Sequence, residues 1–70
     1  MPEILADMVA NVWKVVVAPG DVVAEGDAVV ILESMKMEIP VESPFSGTVR
    51  EVRVKEGAVV QEGDVVAVVE

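Results

Sequence analysis

The sequence predicts an all-β domain made of two similar halves around one core. Three observations predict it. Valine is the commonest residue, 19 of 70, and β-branched side chains fit a pleated, half-buried surface better than a helix. Glycines punctuate the chain at short intervals, the pattern of short strands joined by tight turns. Finally, a shift of 37 places lays residues 12–33 over 49–70 with 11 of 22 positions identical. Six of these are valines, which a valine-rich chain could match by chance, but Glu25-Gly26-Asp27 over Glu62-Gly63-Asp64 and Gly20 over Gly57 mark an internal repeat.

A half of this length cannot bury its own apolar face, so the repeat implies one shared core and a rough two-fold axis. The axis carries the end of the first copy, Glu33, onto the end of the second, Glu70. Two opposite poles follow. At one, residues 34–38 link the copies; at the other, Glu70 comes near Glu3.

Taken in order, strands are expected near 3–5, 11–17, 22–23, 29–33, 38–42, 48–54, 59–60 and 65–69, and no helix. Ile4, Leu5, Met8 and Val9 are also spaced to suit one helical turn, but the repeat lays residues 3–5 over 40–42 and favours a short strand. In the long strand of copy two, Val49, Val52 and Val54 face inward only if the pair Arg50-Glu51 interrupts the alternation, which a β-bulge there would allow. The same reading in copy one puts Val12, Val15 and Val17 inside and Trp13, Lys14 and Val16 outside. Trp13 is thus expected to be partly exposed, packed along a sheet edge or offered to a partner. Pro19-Gly20-Asp21, Glu25-Gly26-Asp27 and their counterparts are turns, with glycine at positive φ and aspartate accepting local backbone hydrogen bonds. As calcium ligands these carboxylates are too few per turn. Phe45 overlays Met8 and is expected to plug the core.

Residues 1–70 are read as one small domain. A net charge of −8, from 13 acidic and 5 basic residues, argues against nucleic acid or an anionic membrane as partner. Cysteine and histidine are both absent, which removes zinc sites, disulfides and the His-activated nucleophiles; no catalytic or metal-binding residue is assigned. The longest apolar runs, 28–32 and 65–69, are five residues, too short to span a bilayer. Met1-Pro2-Glu3 lacks the basic and apolar stretches of a signal peptide. A cytoplasmic monomer is the expectation.

The chain centres on Ser34-Met35-Lys36-Met37-Glu38, which belongs to neither copy. Between the apolar runs on either side the chain must turn back, and Met35-Lys36 becomes the tip of a hairpin. A two-residue hairpin favours Asn-Gly or a similar pair, because both central residues need positive φ. Met-Lys is a poor local choice, and such departures occur where function overrides stability. Methionines on both sides of an exposed lysine form a soft apolar rim suited to a partner; alternatively, one methionine turns inward as core filler and Lys36 is a solvated charge. An exposed alkylamine is protonated near neutral pH and a poor nucleophile unaided. If Lys36 is acylated, another protein must supply the activated acyl group and take the proton.

At this point the chain resembles the biotinyl/lipoyl attachment domains. Glu33-Ser34-Met35-Lys36-Met37 is similar to the biotin-acceptor motif, usually Glu-Ala-Met-Lys-Met, and the likeness continues through Ser43-Pro44-Phe45-Ser46-Gly47-Thr48-Val49 and the Gly-Asp turns. The resemblance covers nearly the whole chain. It implies a flattened β-barrel, a barrel-sandwich hybrid of two four-stranded sheets with pseudo-two-fold symmetry and the modified lysine on a hairpin. It also implies covalent biotin on Lys36, placed there by a biotin protein ligase that recognises Glu33, Ser34, Met35, Met37 and Glu38. A carrier of this kind is not itself an enzyme; it shuttles carboxyl groups between biotin carboxylase and carboxyltransferase components.

Two departures from the family pattern stand out. Ser34 replaces the usual alanine, and the chain has no room for the "thumb" insertion of some biotin carriers. Lipoyl domains share the fold, but there the lysine typically follows Asp and precedes Ala, so methionine on both sides favours biotin over lipoate. A third reading is an unmodified interaction module that keeps the barrel without the chemistry.

Overall fold

The computed structural model describes residues 2–70. Eight strands run in chain order: β1 (Glu3–Leu5), β2 (Ala10–Val15), β3 (Val22–Val23), β4 (Ala28–Ser34), β5 (Met37–Glu42), β6 (Gly47–Val52), β7 (Val59–Val60) and β8 (Val65–Val69). They form two antiparallel four-stranded sheets, ordered β1-β8-β6-β3 and β5-β4-β2-β7. The repeat exchanges β1 with β5, β2 with β6, β3 with β7 and β4 with β8, so it converts one sheet into the other, strand for strand. This is the barrel-sandwich architecture of the biotinyl/lipoyl fold. Neither copy makes a sheet by itself, since each sheet draws strands from both.

The symmetry reaches individual hydrogen bonds. Gly20 N–H donates to Val49 O and, 37 places on, Gly57 N–H donates to Val12 O. Ala6 N–H reaches Asp64 O just as Ser43 N–H reaches Asp27 O. The ladder β6–β8 skips between Val49 and Glu51, the bulge expected at Arg50, and its twin in β2–β4 skips between Val12 and Lys14. Each bulge adds one residue to the strand and returns the following valine to the core side.

The two long strands end earlier than the valine pattern suggests, at Val15 and Val52 instead of 17 and 54. Val16 N–H still bonds Val29 O in one sheet, while Gly20 N–H bonds Val49 O in the other. The residues between carry the chain across the sandwich and leave the ladder to do so.

Inward side chains from both sheets make one core, with Ile4, Val12, Val29, Val30, Leu32, Val49, Val60, Val66 and Val69 almost fully buried. Met8 and Phe45 pack against it from equivalent places. The turn aspartates cap their own turns: Asp27 Oδ2 accepts Ala24 N–H at 2.9 Å and Asp64 Oδ2 accepts Gln61 N–H at 2.8 Å. Their carboxylates thus serve backbone donors that would otherwise be satisfied only by water. Val69 N–H donates to Pro2 O and Thr48 N–H to Glu70 O, which joins both chain ends to the first sheet. The axis relates that end to the β4–β5 hairpin at the opposite pole.

Candidate functional site

β4 and β5 pair from Ala28↔Glu42 up to Ser34↔Met37, which leaves only Met35 and Lys36 in the loop. Both have positive φ, 52° and 67°. This is the backbone of a type I′ turn, whose twist matches that of the flanking strands. The close pairing of β4 and β5 imposes it, because a two-residue connection between tightly twisted strands has few alternatives. Neither residue is glycine or asparagine, so the turn carries a steric penalty of order 1–2 kcal/mol per residue.

The turn throws its side chains outward. Met35 is 92% exposed, Met37 is 65% exposed, and Lys36 is exposed between them. The alternative in which one methionine turns inward as core filler is therefore corrected. A residue at the crest of a two-residue loop has no facing sheet to pack against, and Met37, opposite Ser34, shares the face of Leu32 and Ile39 but lies beyond the end of the core, so it stays exposed. Lys36 thus stands on a short, well-supported arm inside an apolar rim.

The remaining predicted residues lie directly below the tip. Glu33 pairs with Glu38 across β4–β5 and with Asn11 across β2–β4, which places two carboxylates side by side on the outer face. Like charges directly opposite disfavour a sheet by a few tenths of a kcal/mol or more. One register step inward, Leu32 lies between Val12 and Ile39 and anchors the arm to the core. Ser34 is half-buried at the end of β4. The six residues singled out from the sequence thus share one hairpin.

Lys14 and Lys55 are exposed too, but neither is at a hairpin tip. Lys14 lies within β2 with its Nζ 5.5 Å from the centre of the Trp13 ring. Trp13 is 44% exposed, as the bulge reading expected. Lys55 lies on the connection from β6 to β7, beside an open groove of about 560 Å³ that Arg53, Val59 and Asp64 also line. Among the described residues no group of three His, Cys, Asp or Glu side chains is placed to hold a metal, and no helix is long and apolar enough to cross a membrane.

One residue at this pole escapes the sequence reading. Ala10 pairs with Val60, and Asn11 with Glu33. Val9 directly precedes β2, at the end of the sheet that carries the Met35-Lys36 turn. Val9 is 64% exposed. The available signal was its counterpart in the repeat, Ser46, a polar residue at the equivalent place.

Comparison with known proteins points the same way. The family model described as "Biotin-requiring enzyme", of the biotin/lipoyl family, matches residues 1–69. A biotinylated protein TB7.3 homolog of Mycobacterium leprae is 49% identical over 67 residues, covering 96% of this chain and 94% of that protein. A biotin/lipoyl attachment protein of Bacillus subtilis is 57% identical over 58 residues, covering 83% of this chain and 80% of that one. Among solved structures, the Kluyveromyces lactis urea carboxylase superposes with a TM-score of 0.92 and 39% identity over 99% of this chain, which corresponds to 6% of that enzyme.

Proposed function

Because the chain belongs to the biotin/lipoyl attachment family, as a biotin-carrier module without catalysis of its own, we propose that Lys36 is its attachment residue. Residues 1–70 act as one domain, and a biotin protein ligase is the partner that modifies it. The observation that carries this reading is the crest of the β4–β5 hairpin, where Lys36 stands at positive φ between two exposed methionines.

Lys36 Nζ, once relieved of a proton by a base of the ligase, attacks the carboxyl carbon of biotinyl adenylate. A C–N amide bond forms, the C–O bond to the adenylate breaks, AMP leaves with the electron pair, and the nitrogen gives up its second proton to solvent. The arm presents the amine clear of the barrel, so the ligase can surround it without unfolding β4 or β5. Met35 and Met37 give that enclosure an apolar lining able to adapt to its shape, and Glu33, Ser34 and Glu38 complete the recognised segment. Biotin, when bound, carries a carboxyl group from one active site to another. The likeness to a urea carboxylase supports biotin carboxylase and carboxyltransferase components as the partners served. The domain contributes reach and a high local concentration at both. The reaction requires ATP for the adenylate, which suits the cytoplasm.

Intact-mass spectrometry of the protein from its own cells, with peptide mapping around Lys36, tests the proposal. One biotinyl group on Lys36 is expected. A lipoyl mass would move the protein to acyl or aminomethyl chemistry. An unmodified lysine that also resists the cognate ligase would leave an interaction module.

A further inference from the structure

We propose that Val9 belongs to the surface the ligase grips, although it lies outside the acceptor hairpin; the inference rests on biotinylation at Lys36. The argument comes from the two-fold axis. Wherever the halves differ at equivalent surface places, the fold itself does not explain the difference. Position 9 corresponds to position 46, and there Ser46 Oγ accepts Glu25 N–H at 3.1 Å, tying the Glu25-Gly26-Asp27 turn to the start of β6. A valine at the equivalent place has no acceptor to offer Glu62, so the copy facing the Lys36 pole forgoes this hydrogen bond and exposes a branched apolar side chain instead.

The exchange sits where an apolar contact would be used. The pairing of Asn11 with Glu33 puts Val9, which directly precedes β2, at the same end of the sheet as the Met35-Lys36 turn. Val9, Met35 and Met37 are thus three exposed apolar side chains at the Lys36 pole. An enzyme that encloses the Lys36 amine approaches this end of the sheet. At the symmetric pole the equivalent place is taken by Ser46. Val9 is thus a docking residue for the ligase, acting through the surface rather than on the reacting amine.

The test is Val9→Ser, assayed with the full chain, cognate ligase, biotin and ATP. Stability is expected to stay at or above that of the parent, because serine can restore the bond that Ser46 makes. The kcat/KM for biotinylation is expected to fall about tenfold, carried by KM, as for loss of one buried branched side chain from an interface. Acylation of Lys36 by a small N-hydroxysuccinimide ester should keep its rate, and Val9→Ile should restore ligation. An unchanged kcat/KM for Val9→Ser overturns the inference. Normal biotinylation with slowed carboxyl transfer also overturns it and moves the contact to a carboxylase component. A parent chain that is not biotinylated at all would instead refute the proposed function.

Discussion

Met35 and Lys36 occupy consecutive left-handed conformations, with φ of 52° and 67°, and neither carries the side chain such a turn prefers. The hairpin is thus held in shape by β4 and β5 against its own local preference, and in return presents an apolar side chain and an amine at its crest.

Replacing Met35 with Asn, which tolerates positive φ far better, is expected to stabilise the domain by about 0.5–1 kcal/mol while slowing biotinylation. Urea unfolding and a mass-resolved ligation time course measure the two effects. Loss of stability with Asn would show that Met35 is bound to the barrel rather than free of it.

Lys36→Arg is expected to abolish modification and leave the fold intact, since arginine keeps the charge and exposure but offers no acylatable amine. Intact mass after incubation with ligase reads the outcome. Biotin retained on this variant would have to sit on Lys14 or Lys55, at β2 or the β6–β7 connection, and the hairpin would lose its role.

The rim should also decide between cofactors. Changing Met35 to Asp and Met37 to Ala together is expected to shift acceptance from biotin ligase toward lipoate ligase, with each enzyme assayed separately on the same preparation. Unaltered biotinylation would mean that recognition lies elsewhere on the domain.

At the other pole, a Cβ on Gly47 would lie 2.6 Å from Glu70 O and 2.7 Å from Val69 Cγ1, although its counterpart Ala10 carries one. Gly47→Ala is expected to cost about 1–3 kcal/mol, because backbone cannot yield as a flexible side chain can. The reverse exchange, Ala10→Gly, should cost roughly 0.5–1 kcal/mol. Equal losses in urea unfolding would contradict the difference between the two poles.

Much of this was legible in the residues. The overlay of Glu25-Gly26-Asp27 on Glu62-Gly63-Asp64 implied two related halves with a common core, and the broken alternation at Arg50-Glu51 located a bulge. The awkward Met35-Lys36 pair marked the functional turn. These are local signals, written in spacing and in the φ each residue tolerates.

Tertiary structure alone decided which strands lie side by side. Alternation says which face of a strand is buried but not its lateral neighbour, and here β1, β3, β6 and β8 interleave across the repeat. It also turned both methionines outward, where composition left one free to fill the core. Val9 came to the Lys36 pole only through the pairing of β2 with β4, two strands joined by backbone hydrogen bonds between residues distant in the chain, which no local propensity encodes.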